Sequence, residues 1–216
     1  ELINEEINII VKEEGISKGG ISSFTYYTFT ELVLIILYIS QITSVSMYKE
    51  RFENTLPRLK TTKASNFSII TSKVILGIII GIIQVIIVYL VSNFLLKINW
   101  GENLIEIMMV LISLIIFSSI LGVAVSLMFK DNKTASSLIN VLLIIFGFLG
   151  GSYLPISLIR SNEITDVLCK ITPTYWANIS LLSLSSGISN NYPIISIIIS
   201  VEISLILFAY TLIASK

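Results

Sequence analysis

The stretch Met47-Tyr48-Lys49-Glu50-Arg51-Phe52-Glu53-Asn54-Thr55-Leu56-Pro57-Arg58-Leu59-Lys60-Thr61-Thr62-Lys63 places seven charged residues between two long runs that carry almost none. An island of charge between apolar runs reads as a loop at a membrane surface, and the rest of the chain follows from it. Apolar residues make up 54% of the 216 and charged residues 13%, about half the roughly 25% charge of a soluble domain. Mean hydropathy is +0.90. A transmembrane helix needs ~20 mostly apolar residues, and five stretches qualify: 26–47, 74–96, 107–129, 134–151 and 193–214. Their Ile and Leu content would suit buried strands, but the runs far exceed the usual strand of about 5–6 residues. The expected fold is all-α, a polytopic transmembrane helix bundle over residues 24–216. Residues 1–23 read as the end of an extracytoplasmic region.

Net charge is +0, so no global field favours nucleic acid, and the information lies in where the charges sit. If the 48–73 loop is cytosolic, its side holds Lys49, Arg51, Arg58, Lys60, Lys63, Lys73, Lys130, Lys133 and Lys216. The other side holds Lys12, Lys18, Lys97, Arg160 and Lys170. The excess of Lys and Arg puts the loop and the C-terminus in the cytosol and the start of the chain outside. Five spans from an external start lead us to expect at least one further span before Glu1, six in all, in a bacterial cytoplasmic membrane. Within 1–15, Ile3, Ile7 and Ile10 share a helical face, which reads either as a short amphipathic helix or as a partly ordered acidic tail.

The chain has no His and one Cys, which excludes a disulfide framework, a Cys/His metal site and a Ser-His or Cys-His catalytic pair. Cys169 reads as a small apolar residue. Charges within a bilayer are costly and should face protein or water. Glu31 and Glu202 fall inside spans, as sites for substrate or protons or as carboxyls neutralised within the bundle, and Glu106 reads as a helix-end carboxylate. Gln84 and Asn140 fit hydrogen bonds between helices. Gly77 and Gly81, one turn apart, permit close helix approach, within the bundle or at a dimer interface. Gly147, Gly150 and Gly151 followed by Pro155 predict a fourth span that stops early and turns back. The segment after it, from Leu154 to about Leu168, then forms a re-entrant or interfacial helix packed on the bundle. Tyr175, Trp176 and Tyr192 mark the outer interface.

Four pieces in order carry a resemblance. They are Tyr26-Tyr27-Thr28-Phe29 opening a span, Lys49-Glu50-Arg51-Phe52-Glu53-Asn54-Thr55-Leu56-Pro57-Arg58-Leu59 after it, Gly150-Gly151-Ser152-Tyr153-Leu154-Pro155, and Pro173-Thr174-Tyr175-Trp176-Ala177-Asn178 before the last span. The sequence resembles the permease subunits of type-2 ABC exporters from about Phe24 to the C-terminus. Phe52, Asn54 and Pro57 depart from the family's usual loop pattern. The resemblance implies a six-helix half-transporter that pairs with a second copy or a paralogue. It also implies a coupling helix in the loop, formed by Tyr48, Glu50, Arg51, Phe52, Glu53, Thr55, Leu56, Arg58 and Leu59, that docks on an ATPase subunit. An external gate would form around Gly150, Gly151 and Pro155. The residues alone agree with docking, because Tyr48, Phe52, Leu56 and Leu59 recur near helical spacing.

No G-x-x-x-x-G-K-[ST] motif occurs, so ATP and Mg are expected on the partner subunit, with no cofactor on this chain and no covalent chemistry in it. The rivals are a proton- or ion-coupled secondary transporter working through Glu31 and Glu202, a membrane-embedded lipid-processing enzyme, and a non-transporting immunity or sensor protein.

Overall fold

The computed structural model describes residues 22–52, 65–188 and 190–214, and every element among them is helical. The elements are α1 (Ser23–Leu37), α2 (Ile39–Phe52), α3 (Asn66–Leu90, continued by a π-helical turn, Val91–Leu95), α4 (Leu104–Met128), α5 (Asn132–Gly150), α6 (Ile156–Arg160), α7 (Glu163–Ile171), α8 (Pro173–Ser185) and α9 (Tyr192–Ala214). Five rods are long and apolar enough to cross a membrane: Ser23–Arg51, Asn66–Leu95, Leu104–Met128, Asn132–Gly150 and Tyr192–Ala214. The expected amphipathic segment at 1–15 lies outside the described residues. The largest shift from the expected spans is at α3, which starts at Asn66 rather than Val74. Ser65 caps it, its Oγ accepting the Ser68 N–H at 3.1 Å, and Lys73 is tolerated because Glu50 pairs with it.

The helix α4 is the hub. Its most apolar stretch is 78% buried, against 17% for that of α9, and it packs on α2, α3, α8 and α9. Without a hydrophobic force between helices in lipid, close approach depends on small side chains. Ser113, Ser118, Ser119, Gly122, Ala124 and Ser126 supply them along α4, and Ser196, Ser200 and Ser204 line the buried face of α9. The Gly77/Gly81 pair works inside the bundle. A Cβ at Gly77 would lie 2.8 Å from Ser119 Cβ and from Thr43 Cγ2, and one at Gly81 2.8 Å from Ile39 Cδ1. At Gly122 a Cβ would land on the Ser40 carbonyl, 2.7 Å from its carbon.

That last contact sits beside a break in the first span. Helix α1 stops at Leu37 and α2 starts at Ile39, with no Pro or Gly nearby. The Ser40 N–H donates to Ser118 Oγ at 3.1 Å, and the Ser118 hydroxyl donates to Ile36 O at 2.8 Å and Leu37 O at 3.0 Å. A side chain from α4 has therefore entered the backbone ladder of the first span, one of the recognised causes of a kink.

Helix α5 ends in a Schellman turn. Gly151 takes a left-handed φ of +90°, its N–H reaches Phe148 O at 3.4 Å, and the Ser152 N–H reaches Gly147 O at 3.0 Å. Two short helices follow, and Asn162 caps the second by accepting the Ile164 N–H at 2.9 Å. Helix α8 then enters the bundle. Its 13 residues, buried at every position except Trp176, reach about 20 Å, too little for a ~30 Å hydrocarbon core. Its first turn lies beside Gly150, while Ser185 at its other end shares a cavity with Ser22 and Leu95. It is a half-span, running from the depth of the α5 turn back to the end of the bundle where Ser22 and Leu95 lie. The expected re-entrant element was 154–168, but burial falls on 173–185. Tyr175, expected at the interface, is 2% exposed there.

Candidate functional site

Two places gather the residues that the sequence singled out, one at each end of the bundle. At the end opposite the charged loop, the turn 150–155 lies level with Thr30. That is about 12 Å along α1 from its start, eight residues at ~1.5 Å each. Backbone at such depth must find partners inside the protein, and side chains of α1, α8 and the turn itself provide the hydrogen bonds. Tyr26 Oη donates to Gly151 O at 2.7 Å and accepts the Ile156 N–H at 3.1 Å. Ser152 Oγ donates to Thr30 O at 2.9 Å, Asn178 Nδ2 to Gly150 O at 2.6 Å, and Thr174 Oγ1 to Phe146 O at 3.0 Å. Gly150 is required by closeness rather than by φ, since a Cβ there would meet Thr174 Cβ at 2.7 Å. Pro155, half-buried, precedes α6, where its missing N–H costs no hydrogen bond. Three motif pieces, the first more than a hundred residues before the other two, thus meet in one knot. Sequence reasoning named Gly150, Gly151 and Pro155 as site residues but not Tyr26, Thr30, Thr174 and Asn178. Tyr26, Thr174 and Asn178 were nonetheless visible as members of those pieces.

Beyond the knot, α6 and α7 are clasped by Asp166, which accepts from Arg160 Nε at 2.9 Å and Lys170 Nζ at 2.6 Å. Those hydrogen bonds, that of Lys170 foremost, hold the Asp166 carboxyl below the usual carboxylate range. Cys169 is fully buried, and its Sγ–H donates to Asp166 O at 3.2 Å, so it packs as a small apolar side chain. Trp100 plugs the neighbouring corner, with Nε1 donating to Ser92 Oγ at 2.8 Å and its ring edge-on to Phe29 and Tyr89 at 5.0 and 5.1 Å.

At the loop end, α2 carries Tyr48, Glu50 and Arg51 to the root of the charged loop. Glu50 pairs with Lys73 of α3. Arg51 Nη1 donates to Ser126 O at 2.7 Å and to Phe129 O at 3.4 Å, neutralising carbonyls left open at the end of α4. The root is thereby tied to two other spans. Phe52 closes α2, and Glu53, Thr55, Leu56, Arg58 and Leu59 lie outside the described residues.

The intramembrane polar residues are scattered. Glu31 is exposed on α1, Asn140 on α5 and Glu202 on α9, while Gln84 is half-buried on α3 and Glu106 half-buried in the first turn of α4. Neither Gln84 nor Asn140 makes a hydrogen bond to another helix among the described residues, and Gln84 Oε1 is buried without a partner. The reason is geometric: only 22% of the apolar stretch of α3 and 28% of that of α5 is buried, so these rods show most of their surface to the outside of the bundle. No group of three or more His, Cys, Asp or Glu among the described residues could hold a metal.

No curated protein and no solved structure was found to match the chain. The family model for the ABC-2 type transporter matches residues 15–185, which takes in the loop, the knot and all of α1 to α8. With five membrane-length helices and this match, the chain belongs to the ABC-2 type transporter family, as a multi-pass ABC-type permease.

Proposed function

We propose that this permease is the membrane-spanning half of an ATP-driven exporter, coupled through its 48–63 loop to a separate ATPase subunit and paired with a second copy or a related chain. The observation that carries the reading is the joint presence of the family match and a loop root fixed to the bundle by Arg51 and Glu50. A docking loop has to pass force to the spans, and ties to α3 and α4 give it a route. In this reading the loop and the C-terminus are cytosolic, the membrane is the bacterial cytoplasmic membrane, and ATP and Mg bind only to the partner. The knot around Gly150 closes the outer end of the path until the two bundles move as rigid bodies.

The test is to purify the tagged full-length protein from membranes of a host that also carries the ATPase, and to assay inverted vesicles for ATP-dependent accumulation. Co-purification of a Walker-motif polypeptide, lost when 53–63 is replaced by a Gly/Ser linker, is expected. Transport that persists without ATP and collapses with the proton gradient would overturn the reading in favour of secondary transport. Association with the ATPase and no substrate movement would point to a sensor.

A further inference from the structure

One face of the bundle combines a carboxylate with aromatic rings at membrane depth. Glu31 lies two turns into α1, exposed, and makes no hydrogen bond or ion pair among the described residues. It lines a shallow cavity of about 420 Å³ with Ser23, Phe24, Tyr27 and Thr28. The exposed rings of Phe24, Tyr27 and Tyr38 follow the same side of the first span. From the knot, the Tyr153 ring folds back over Gly147, lies tilted at 58° to Phe148 with 5.0 Å between centroids, and comes within electrostatic reach of both Tyr38 and Glu31.

A carboxylate at this depth is expensive unless something of opposite charge or water meets it. Asp166 and Glu50 each have a Lys or Arg partner, and among the described residues none is paired with Glu31. Rings around a carboxylate answer a particular ligand chemistry: ring faces attract a cation through their quadrupole, and their bodies take up apolar area. A neutral lipid tail would gain nothing from Glu31, and an anion would be repelled.

We propose that the face formed by Tyr27, Glu31, Tyr38 and Tyr153 is a recognition site for lipophilic organic cations. The cargo of the permease then carries positive charge on an apolar body. As a statement about cargo it rests on the export reading above, but the site itself is tested without nucleotide or ATPase.

The probe is radiolabelled tetraphenylphosphonium, titrated onto the full-length protein in nanodiscs of zwitterionic lipid. Radiolabelled tetraphenylborate, of the same shape and opposite charge, is titrated in a separate preparation, because the two ions precipitate each other. Saturable binding of the phosphonium is expected, about tenfold weaker in Glu31→Gln, little changed in Glu31→Asp, and severalfold weaker in Tyr38→Leu and Tyr153→Leu, with no saturable binding of the borate. Glu31 is exposed, so Glu31→Gln leaves packing intact, and a wild-type elution profile on size exclusion verifies this. Phosphonium affinity unchanged in Glu31→Gln, saturable borate binding of equal affinity, or no saturable phosphonium binding would each overturn the site. Any of these would leave ATP-driven export standing. Loss of the ATPase partner would overturn export without altering the binding result.

Discussion

Arg51→Gln separates two roles that the charged loop could play. In the structure Arg51 works inside the bundle, with Nη1 at 2.7 Å from Ser126 O and 3.4 Å from Phe129 O at the end of α4. A hydrogen bond from a charged donor contributes about 1.5–3 kcal/mol, and a cation at a helix C-terminus adds ~0.3–1 kcal/mol. The longer bond is close to the distance limit and adds little, so the loss comes to about 2–4 kcal/mol. For a chain of this size each kcal/mol moves Tm by roughly 2–4 °C, which puts the expected fall at about 4–16 °C. The assay is thermal unfolding of the purified permease without its partner, followed by tryptophan fluorescence in detergent, with ATPase co-purification measured in parallel. Arg51→Lys keeps the charge but loses the planar fork and should recover only part of the fall. If Tm stays within 1–2 °C of wild type while co-purification is lost, as order-of-magnitude bounds on the same scale, Arg51 is a docking residue and its tie to α4 carries no weight.

Three further outcomes follow from the packing and the charges. Gly122→Ala drives a Cβ into the Ser40 carbonyl and should destabilise by about 1–3 kcal/mol through overpacking, whereas Gly187→Ala, open around its Cβ, should be limited to its backbone strain; paired melting curves check this. Tyr26→Phe leaves Gly151 O and the Ile156 N–H without a partner, which should lower stability by ~1–3 kcal/mol and speed amide exchange across 150–160 specifically, read by mass spectrometry. The Asp166 carboxyl is held below its ordinary range, so its contribution is full at neutral pH and is lost as pH falls through the lowered value; the Tm gap between wild type and Asp166→Asn should be widest near pH 7 and close as the carboxyl protonates.

The spans were legible because length and apolarity act locally and need no partner. The turn after α5 was legible for a similar reason: glycines followed by Pro155 constrain the backbone whatever surrounds them. The break at Tyr38 was not. It has neither Pro nor Gly, and its cause, Ser118, lies on another helix 78 residues from Ser40, where a Ser in an apolar run looks like any other. The place of α8 was hidden in the same way. Tyr175 and Trp176 read as markers of the outer interface, and only the surrounding helices make 173–185 a buried element, with Asn178 bonded to Gly150 O. The roles of Glu50 and Arg51 were half legible. Charge marked the loop, but Lys73 and the end of α4 decide which of its residues face inward.

One rod joins the two sites, and its construction limits how a push at one end could reach the other. Helix α1 is held at the knot by Tyr26 and Thr30, and α2 is held at the loop root by Arg51 and Glu50. Between them the ladder is interrupted at Tyr38, where α4 supplies the missing partners through Ser118 and the Gly122 contact admits no slack. A push on the loop therefore cannot bend α2 away from α4, because the two are joined at the root and again at the break. They would have to travel together, and what can yield is the joint between α1 and α2, with the hydrogen bonds of Ser118 re-forming on either side. Filling Gly122 and removing Ser118 should then uncouple loop from knot by opposite routes, the first by forcing α2 off α4 and the second by letting the first span close its own ladder and straighten. In the export reading both variants would keep the ATPase bound and lose coupling, and the Ser118→Ala span alone would gain helical continuity, visible as slower amide exchange at Ser40.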